Sequence, residues 1–153
     1  MNQTPPGWPR ISAALFYEDP KKAIDWLVRA FDFEVRLKVE GDDGSLVHSE
    51  LTYGEGVVMV AASGGHGAHP ERDQSHQKSP RVLGGSNTAS LMLYVDDVEA
   101  HCARAREAGA KIVSEPKTSD YGEEYWSDRG YECADLDGHH WWFTQRLRSP
   151  KKT

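Results

Sequence analysis

The chain lacks the segments that would direct it to a membrane. No apolar run approaches the roughly 20 residues that a membrane-spanning helix needs. The first ten residues, MNQTPPGWPR, have neither the basic start nor the apolar centre of a secretory signal. These absences predict a cytoplasmic protein that does not contact a membrane.

Cysteines are few, and basic residues are outnumbered by acidic ones. Cys102 and Cys133 have no spacing typical of a zinc site, so we expect small buried side chains in a reducing compartment. The chain has 18 Lys and Arg against 24 Asp and Glu, a formal charge of -6. This balance argues against nucleic-acid binding, because neutralising phosphates needs a basic face. The basic end from Arg146 to Lys152 is interpreted as a solvated tail.

What is present fits a single domain of 153 residues that contains an internal repeat. Residues 11–35, ISAALFYEDPKKAIDWLVRAFDFEV, match residues 89–113, ASLMLYVDDVEAHCARAREAGAKIV. Each copy reads as an apolar strand, an acidic cap, an amphipathic helix, a turn and a second strand. The repeat predicts two modules, at about 11–62 and 89–145.

The ends of both helices can be predicted from local signals. In the first copy Asp19 caps a helix that Pro20 opens and that runs to about Phe31. In the second copy Asp96 and Glu99 predict a capping box, and Gly109 ends the helix. The predicted buried stripes are Ala23, Ile24, Leu27 and Phe31 in the first helix, and Val98, Cys102 and Ala105 in the second.

Short alternating segments after each helix predict three strands per module, which makes each module β-α-β-β-β. Between the modules lie residues 63–88, rich in Gly, Ser and Pro and too long for a simple connection. Such a segment is a linker, or a loop ordered over a ligand or at a subunit contact. His66, His69 and His76 lie in it without acidic or cysteine partners at metal-binding spacing, which favours a flexible loop.

Two stretches of the second module, LMLYVDDVEAHCARAREAGAKIVSEP and YECADLDGHHWWF, resemble the vicinal oxygen chelate superfamily. That group contains glyoxalases, bleomycin resistance proteins and extradiol dioxygenases. The resemblance runs from about Ile11 to Gln145. It implies an α+β fold in which two curved sheets form a cupped cavity with helices over the outer faces, and it implies a homodimer.

The resemblance also implies four metal-ligand positions, on the first and last strand of each module. They fall on Ser12, Met59 or Val60, Ser90 and Trp142. Serine is a poor ligand, and the other side chains supply no hard oxygen or imidazole nitrogen. We therefore expect neither a metal nor another cofactor. A relocated site made of His48, Glu50 and His140 is the alternative.

Strand alternation then predicts which side chains line the cup. His140, Trp142 and Thr144 face the cavity, whereas His139, Trp141 and Phe143 face the helix side. Residues 121–130, YGEEYWSDRG, could form an aromatic lid. The predicted ligand-binding residues are Ser12, Phe16, Ser90, Met92, Tyr94, Trp126, His140 and Trp142.

Aromatic walls bind flat ligands by stacking and cations through the ring quadrupole. The sequence therefore predicts a metal-free protein that sequesters a hydrophobic or aromatic small molecule, including a cationic one, such as an antibiotic. One alternative is a glyoxalase-like lyase or dioxygenase that uses the relocated metal, or acid-base chemistry by His140 or Glu132. Another is a dimeric scaffold whose cup is filled by its own loop.

Overall fold

The computed structural model describes residues 1–65 and 71–150, and its regular elements repeat one pattern twice. In the first module the elements are β1 Ala13–Tyr17, α1 Pro20–Phe31, β2 Glu34–Glu40, β3 Leu46–Tyr53 and β4 Gly56–Ala62. In the second they are β5 Leu91–Tyr94, α2 Val98–Glu107, β6 Lys111–Asp120, β7 Ser127–Ala134 and β8 His140–Arg148. The predicted β-α-β-β-β pattern and the α+β class are confirmed.

Each module forms its own four-stranded mixed sheet. The strand order is β1-β4-β3-β2 in the first sheet and β5-β8-β7-β6 in the second. The first strand of each module runs parallel to the last, and the other neighbours are antiparallel. Among the described strands, β1 and β5 are therefore edge strands, each with one side of its backbone not paired to a strand.

The first helix begins and ends where the sequence predicts. Asp19 accepts a hydrogen bond from the backbone N–H of Lys22 at 3.0 Å, which satisfies one of the orphan amides of the first turn. Asp32 ends the helix in the left-handed conformation, with φ of 65°. The predicted stripe of Ala23, Ile24, Leu27 and Phe31 is buried.

The buried face of α1 is wider than the predicted stripe. Trp26 and Ala30 are buried as well, and the indole N–H of Trp26 donates to the carbonyl of Ala108 in the second module at 2.8 Å. A stripe that faces one sheet explains only part of this burial. The remaining part comes from packing between the modules, which local periodicity does not encode.

The second helix begins one residue later than predicted. Asp97, not Asp96, is its N-cap and accepts from the N–H of Ala100 at 3.0 Å. Glu99 then stands too early in the first turn for a capping box, and its carboxylate instead pairs with Arg129 at 2.6 Å. Gly109 follows the helix with φ of 96°, as predicted. Within residues 1–65 and 71–150, no helix is long and apolar enough to cross a membrane.

One hydrophobic core joins the two modules. Phe31, at the end of α1, contacts the rings of Trp141 and Phe143 on β8, with centroids 5.3 Å and 4.7 Å away. His101 of α2 lies in the same core, 4.2 Å from the Phe143 ring, and its Nδ1 lies 2.8 Å from the Tyr131 hydroxyl. Burial lowers the pKa of His101. The helix side of each sheet thus packs against residues of the other module.

The turn before β8 is held by a buried carboxylate. Asp135 accepts backbone N–H bonds from residues 137, 138 and 139, each at 3.0 Å. Its second oxygen accepts from the Tyr17 hydroxyl at 2.6 Å and from the Trp141 indole N–H at 3.0 Å. Burial, and then the Asp135 charge, raises the pKa of Tyr17 well above its usual value, so the hydroxyl stays protonated and donates. This cluster fixes the end of β1 to the start of β8.

The described part of the segment 63–88 contains a short helical turn and contacts the second module. Pro80–Leu83 form one turn of 3-10 helix. The buried hydroxyl of Ser79 donates to Asp137 at 2.9 Å, and Arg81 pairs with the same carboxylate at 3.1 Å. These bonds tie the segment to the turn before β8, a contact between distant residues that composition does not reveal. His76 is exposed, whereas His66 and His69 lie outside the described residues.

Candidate ligand-binding site

The paired residues His139-His140 and Trp141-Trp142 divide between two sides of the second sheet. Trp141 and Phe143 are fully buried on the helix side. His139 also faces the first module, because its Nε2 lies 2.9 Å from the carbonyl of Phe16. Trp142, in contrast, leaves 41% of its surface exposed on the opposite side. The alternation of a strand thus separates packing residues from residues that can meet a ligand.

The open side of the second sheet is called here the second-module face. Cross-strand pairing brings Met92, Trp142 and Glu132 into one row across three strands, with Tyr94 beside Thr144 in a second row. Met92 is 56% exposed and Tyr94 49%. The face consists of Ser90, Met92, Tyr94, Glu132, His140, Trp142, Thr144 and Arg146. Its centre is apolar and its margins are polar.

A carboxylate and an imidazole form the polar margin next to Trp142. Nδ1 of His140 lies 2.6 Å from Oε1 of Glu132, and the side chains are 31% and 16% exposed. Both belong to the second-module face, because Glu132 pairs directly with Trp142 and His140 precedes it by two residues. The pair can orient a ligand or transfer a proton.

A guanidinium group forms the opposite margin of this face. Arg146 lies 5.3 Å from the Tyr94 ring and 5.5 Å from the Trp126 ring, while its Nε pairs with Asp128 at 2.5 Å. Arg146 and Arg148 belong to β8, so the prediction of a solvated tail from Arg146 onward was wrong for these two residues. The ion pairs that hold them come from other strands and leave no signal in local composition. Arg146 already contacts the rings of Tyr94 and Trp126, whereas among the described residues no arginine or lysine lies over the Trp142 ring.

The segment predicted as a lid is a β-hairpin that continues the second sheet. Its turn closes through the N–H of Tyr121 and the carbonyl of Trp126 at 2.9 Å, and residues 127–130 belong to β7. Tyr121 and Tyr125 are exposed, whereas Trp126 packs against Tyr121 with ring centroids 5.2 Å apart. The hairpin therefore borders the second-module face at the Arg146 margin.

The open side of the first sheet, the first-module face, has a related arrangement. Leu51 pairs with the last strand of the first module, β4, in the way that Cys133 pairs with the last strand of the second module, β8. The residue before each of them, Glu50 or Glu132, therefore occupies the same position in its module. Nε2 of His48 lies 2.9 Å from Glu50, and Arg36 pairs with the other carboxylate oxygen at 2.7 Å. The hydrogen bonds from His48 and Arg36 lower the pKa of Glu50.

The N-terminal segment lies against the first-module face. The Arg36 guanidinium stacks on the Trp8 ring at 4.6 Å and donates to the carbonyl of Gly7. Residues 3–10 line a pocket together with Thr52 and Val57 of the first sheet. The contact between Trp8 and Arg36 was not predicted, because it joins an irregular segment to a distant strand. The second-module face is the less covered of the two.

A groove of about 910 Å³ lies between the edge strands β1 and β5. Of the predicted ligand-binding residues, Ser12, Met92 and Tyr94 line this groove, together with Phe33 and Tyr53. Phe16, Ser90, Trp126, His140 and Trp142 do not line it. Met92 and Tyr94 thus link the groove to the second-module face, and one chain does not gather all eight residues in a single pocket.

The implied metal positions do not fit a divalent ion. Met59 pairs with Ala14 on the open side, while Val60 is buried on the helix side. Neither residue is a suitable ligand, and Trp142 supplies no donor. Among residues 1–65 and 71–150, no three His, Cys, Asp or Glu side chains converge as a metal site would require. The alternative set of His48, Glu50 and His140 is therefore not assembled in one chain. That the protein works without a metal stays a prediction.

Comparisons with known proteins agree with this fold. The sequence profile of the glyoxalase/bleomycin resistance protein/dioxygenase superfamily matches residues 11–143. An uncharacterized protein of Mycobacterium bovis is 34% identical over 140 residues, which are 92% of this chain and 85% of that protein. An uncharacterized protein of Mycobacterium tuberculosis H37Rv is also 34% identical, over 76% of its length.

Solved structures give the same result. TioX from Micromonospora sp. ML1 is 31% identical, and the match covers 95% of this chain and all of that one, with a TM-score of 0.64. TnmS3, an antibiotic binding protein from Streptomyces sp. CB03234, is 19% identical over 90% of this chain and 96% of that one, with a TM-score of 0.62. Two β-α-β-β-β modules with open sheet faces define the class. The chain belongs to the glyoxalase/bleomycin resistance protein/dioxygenase superfamily.

Proposed function

We propose that this protein binds a hydrophobic or aromatic small molecule on the second-module face and sequesters it without metal chemistry. The observation that carries the proposal is the exposure of Trp142, at 41%, and Met92, at 56%, in one cross-strand row. Soluble proteins seldom expose contiguous apolar side chains unless the surface meets a ligand or a partner. An indole face next to a methionine suits a flat ligand by stacking and by dispersion.

The donor set argues for binding instead of metal-assisted catalysis. The four positions that hold the ion in metalloenzymes of this superfamily carry serine, methionine, serine and tryptophan here. At the fourth position Trp142 supplies an aromatic binding surface where a metalloenzyme has a metal-coordinating side chain. The description of TnmS3 as an antibiotic binding protein shows that this fold is compatible with such a role, and an antibiotic is the ligand type that we propose first. A cationic aromatic compound would be favoured by the Trp142 ring and by the acidic balance of the chain.

We further propose that two copies form a homodimer in which each second-module face is closed by the partner. In a single chain the second-module face is open, and exposed apolar side chains also lie on β2, namely Val35, Leu37 and Val39. The unpaired edges of β1 and β5 leave backbone donors and acceptors available for such a contact. Light scattering at several protein concentrations should give about twice the mass of 17.1 kDa. A monomer at every concentration would reject the dimer.

The ligand proposal is tested with a panel of planar antibiotics and simpler aromatic compounds. At least one compound should raise the melting temperature and quench tryptophan fluorescence with saturation. The variant Trp142→Ala should weaken that binding at least about fivefold, because stacking on an aromatic side chain contributes roughly 1 kcal/mol or more beyond the buried area. Trp8→Ala is the matched control, since Trp8 lies over the other sheet. No response across the panel would contradict the proposal.

A second candidate function rests on the Glu132–His140 pair. A carboxylate that holds an imidazole at 2.6 Å is an arrangement that supports general acid-base catalysis. The alternative is therefore a glyoxalase-like lyase or dioxygenase that uses this pair or a relocated metal. Turnover of a bound compound, lost in His140→Gln or on treatment with EDTA, would favour the enzyme. Unchanged recovery of the compound after prolonged incubation would favour sequestration.

We also propose that the protein is cytoplasmic, as the sequence predicts. Cys102 and Cys133 are buried and form no disulfide, which suits a reducing compartment. Burial raises the pKa of the Cys133 thiol to about 12, so this thiol is protonated at neutral pH and is a poor nucleophile. Fractionation of cells that express the protein would test the location.

A further inference from the structure

The Glu132–His140 pair fixes where the hydrogens of the imidazole are placed. A carboxylate can only accept hydrogen bonds, so Nδ1 of His140, 2.6 Å from Oε1 of Glu132, must carry a hydrogen. In a neutral imidazole Nε2 then has a free lone pair and is an acceptor. Within the described residues, the side chain of His140 makes its hydrogen bond through Nδ1, and Nε2 makes none. The second-module face therefore presents an oriented acceptor.

The acceptor lies at a useful distance from the aromatic surface. His140 and Trp142 are two residues apart on one side of β8, which corresponds to roughly 6.6 Å along a strand. That spacing is close to the length of two fused aromatic rings. A fused ring system stacked on Trp142 can thus place one edge beside Nε2 of His140.

Near His140 the face presents a carboxylate, and the positively charged group of the face lies at the opposite margin. The guanidinium of Arg146 is engaged by Asp128 and by the Tyr94 hydroxyl, both at 2.5 Å. Glu132 adds a second acceptor and a negative charge beside His140. A ligand that brings a carboxylate to this position would meet a lone pair and a like charge, whereas a ligand that brings a hydroxyl would find an acceptor.

From this geometry we propose that the face selects aromatic ligands with a hydrogen-bond donor on the ring edge, of which phenols are the simplest class. His140 accepts the hydrogen bond, and Glu132 is a positioning residue that holds the required tautomer. The inference rests on the proposed function, because it names the class of ligand that the same site takes.

The test compares three probes of similar size on the full-length protein: 1-naphthol, 1-methylnaphthalene and 1-naphthoate. Equilibrium dialysis at one fixed, mildly alkaline pH gives the dissociation constants of the three probes. We expect 1-naphthol to bind about fivefold or more tightly than 1-methylnaphthalene, the effect of one net hydrogen bond. We expect 1-naphthoate to bind most weakly.

The variants separate the hydrogen bond from stacking. His140→Phe should abolish the preference for 1-naphthol and leave the affinity for 1-methylnaphthalene within about twofold. Glu132→Gln should reduce the preference, because an amide can donate to Nδ1 and permit the other tautomer. His76→Phe, an exposed histidine on the inter-module segment, is the matched control and should change neither value. Circular dichroism confirms that each variant is folded.

Two kinds of failure can be told apart. Equal binding of 1-naphthol and 1-methylnaphthalene to the wild-type protein would overturn this inference, while saturable binding lost in Trp142→Ala would still support the proposed function. Retention of the preference in His140→Phe would also overturn it. If none of the three probes binds at any accessible concentration, both the inference and the proposed aromatic site are rejected.

Discussion

The buried hydroxyl of Tyr17 offers a quantitative test of how the two modules are held together. Tyr17→Phe removes the 2.6 Å hydrogen bond to Asp135 and little else, since the ring can keep its packing. Hydrogen bonds to charged groups contribute about 1.5 to 3 kcal/mol. Because the same carboxylate oxygen still accepts from Trp141 at 3.0 Å, we expect the lower value, about 1.5 kcal/mol.

Urea or thermal unfolding measures this loss at a fixed protein concentration, since association would shift the apparent stability. For a chain of this size about 1.5 kcal/mol corresponds to a decrease of about 3 to 6 °C in melting temperature. Tyr125→Phe is the matched control, because Tyr125 is 58% exposed and the change should cost less than about 0.5 kcal/mol. Equal stability of the Tyr17 variant and the wild type would refute the claim that this contact fixes β1 to the start of β8.

Three further predictions follow from side-chain burial. Without ligand, Trp141→Ala should lower the free energy of unfolding by about 3 to 5 kcal/mol and Trp142→Ala by about 1 kcal/mol or less, because Trp141 is fully buried and Trp142 is not. Similar losses in the two variants would contradict the opposite directions of these side chains. Phe31→Ala should cost about 3 to 5 kcal/mol, since its ring joins both modules, and a loss below about 1 kcal/mol would argue against a shared core. Burial lowers the folded-state pKa of His101, so the unfolded chain binds the proton more readily and the free energy of unfolding should fall as pH drops below about 6.5. His101→Gln should weaken this pH dependence. The same pH dependence in the variant and the wild type would contradict the role of His101.

The features that local chemistry determines could be predicted from the sequence. The Asp19-Pro20 cap, the stripe of α1 and the opposite directions of Trp141 and Trp142 all depend on residues a few positions apart. The internal sequence repeat predicted the two modules. In each case the physical cause is the period of a helix or a strand, which the order of apolar and polar residues records directly.

Other features depend on contacts between distant residues and could not be predicted. Arg146 was assigned to a solvated tail because its partner Asp128 lies on another strand. The start of α2 was misplaced by one residue because Asp96 and Asp97 carry the same side chain, and only the backbone conformation decides between them. The position of the N-terminal segment over the first sheet depends on the stacking of Trp8 with Arg36.

The candidate site was predicted in part for the same reason. Strand alternation placed His140 and Trp142 on one side of β8, where the structure has them. Their relation to Phe16 or Ser12 depends on how the two sheets are arranged, which alternation within a strand does not specify. In a single chain the second-module face stays open, and a partner subunit is the proposed means of closing it.

The most direct test of the proposed binding site uses the indole N–H signals of the five tryptophans in a two-dimensional nitrogen-proton NMR spectrum, each assigned by substitution. During titration with 1-naphthol, or with a compound selected from the antibiotic panel, we predict saturable movement of the Trp142 signal. The signals of buried Trp26 and Trp141 should move little. Movement confined to Trp8, or no saturable change in any signal, would contradict the assignment of ligand binding to the second-module face.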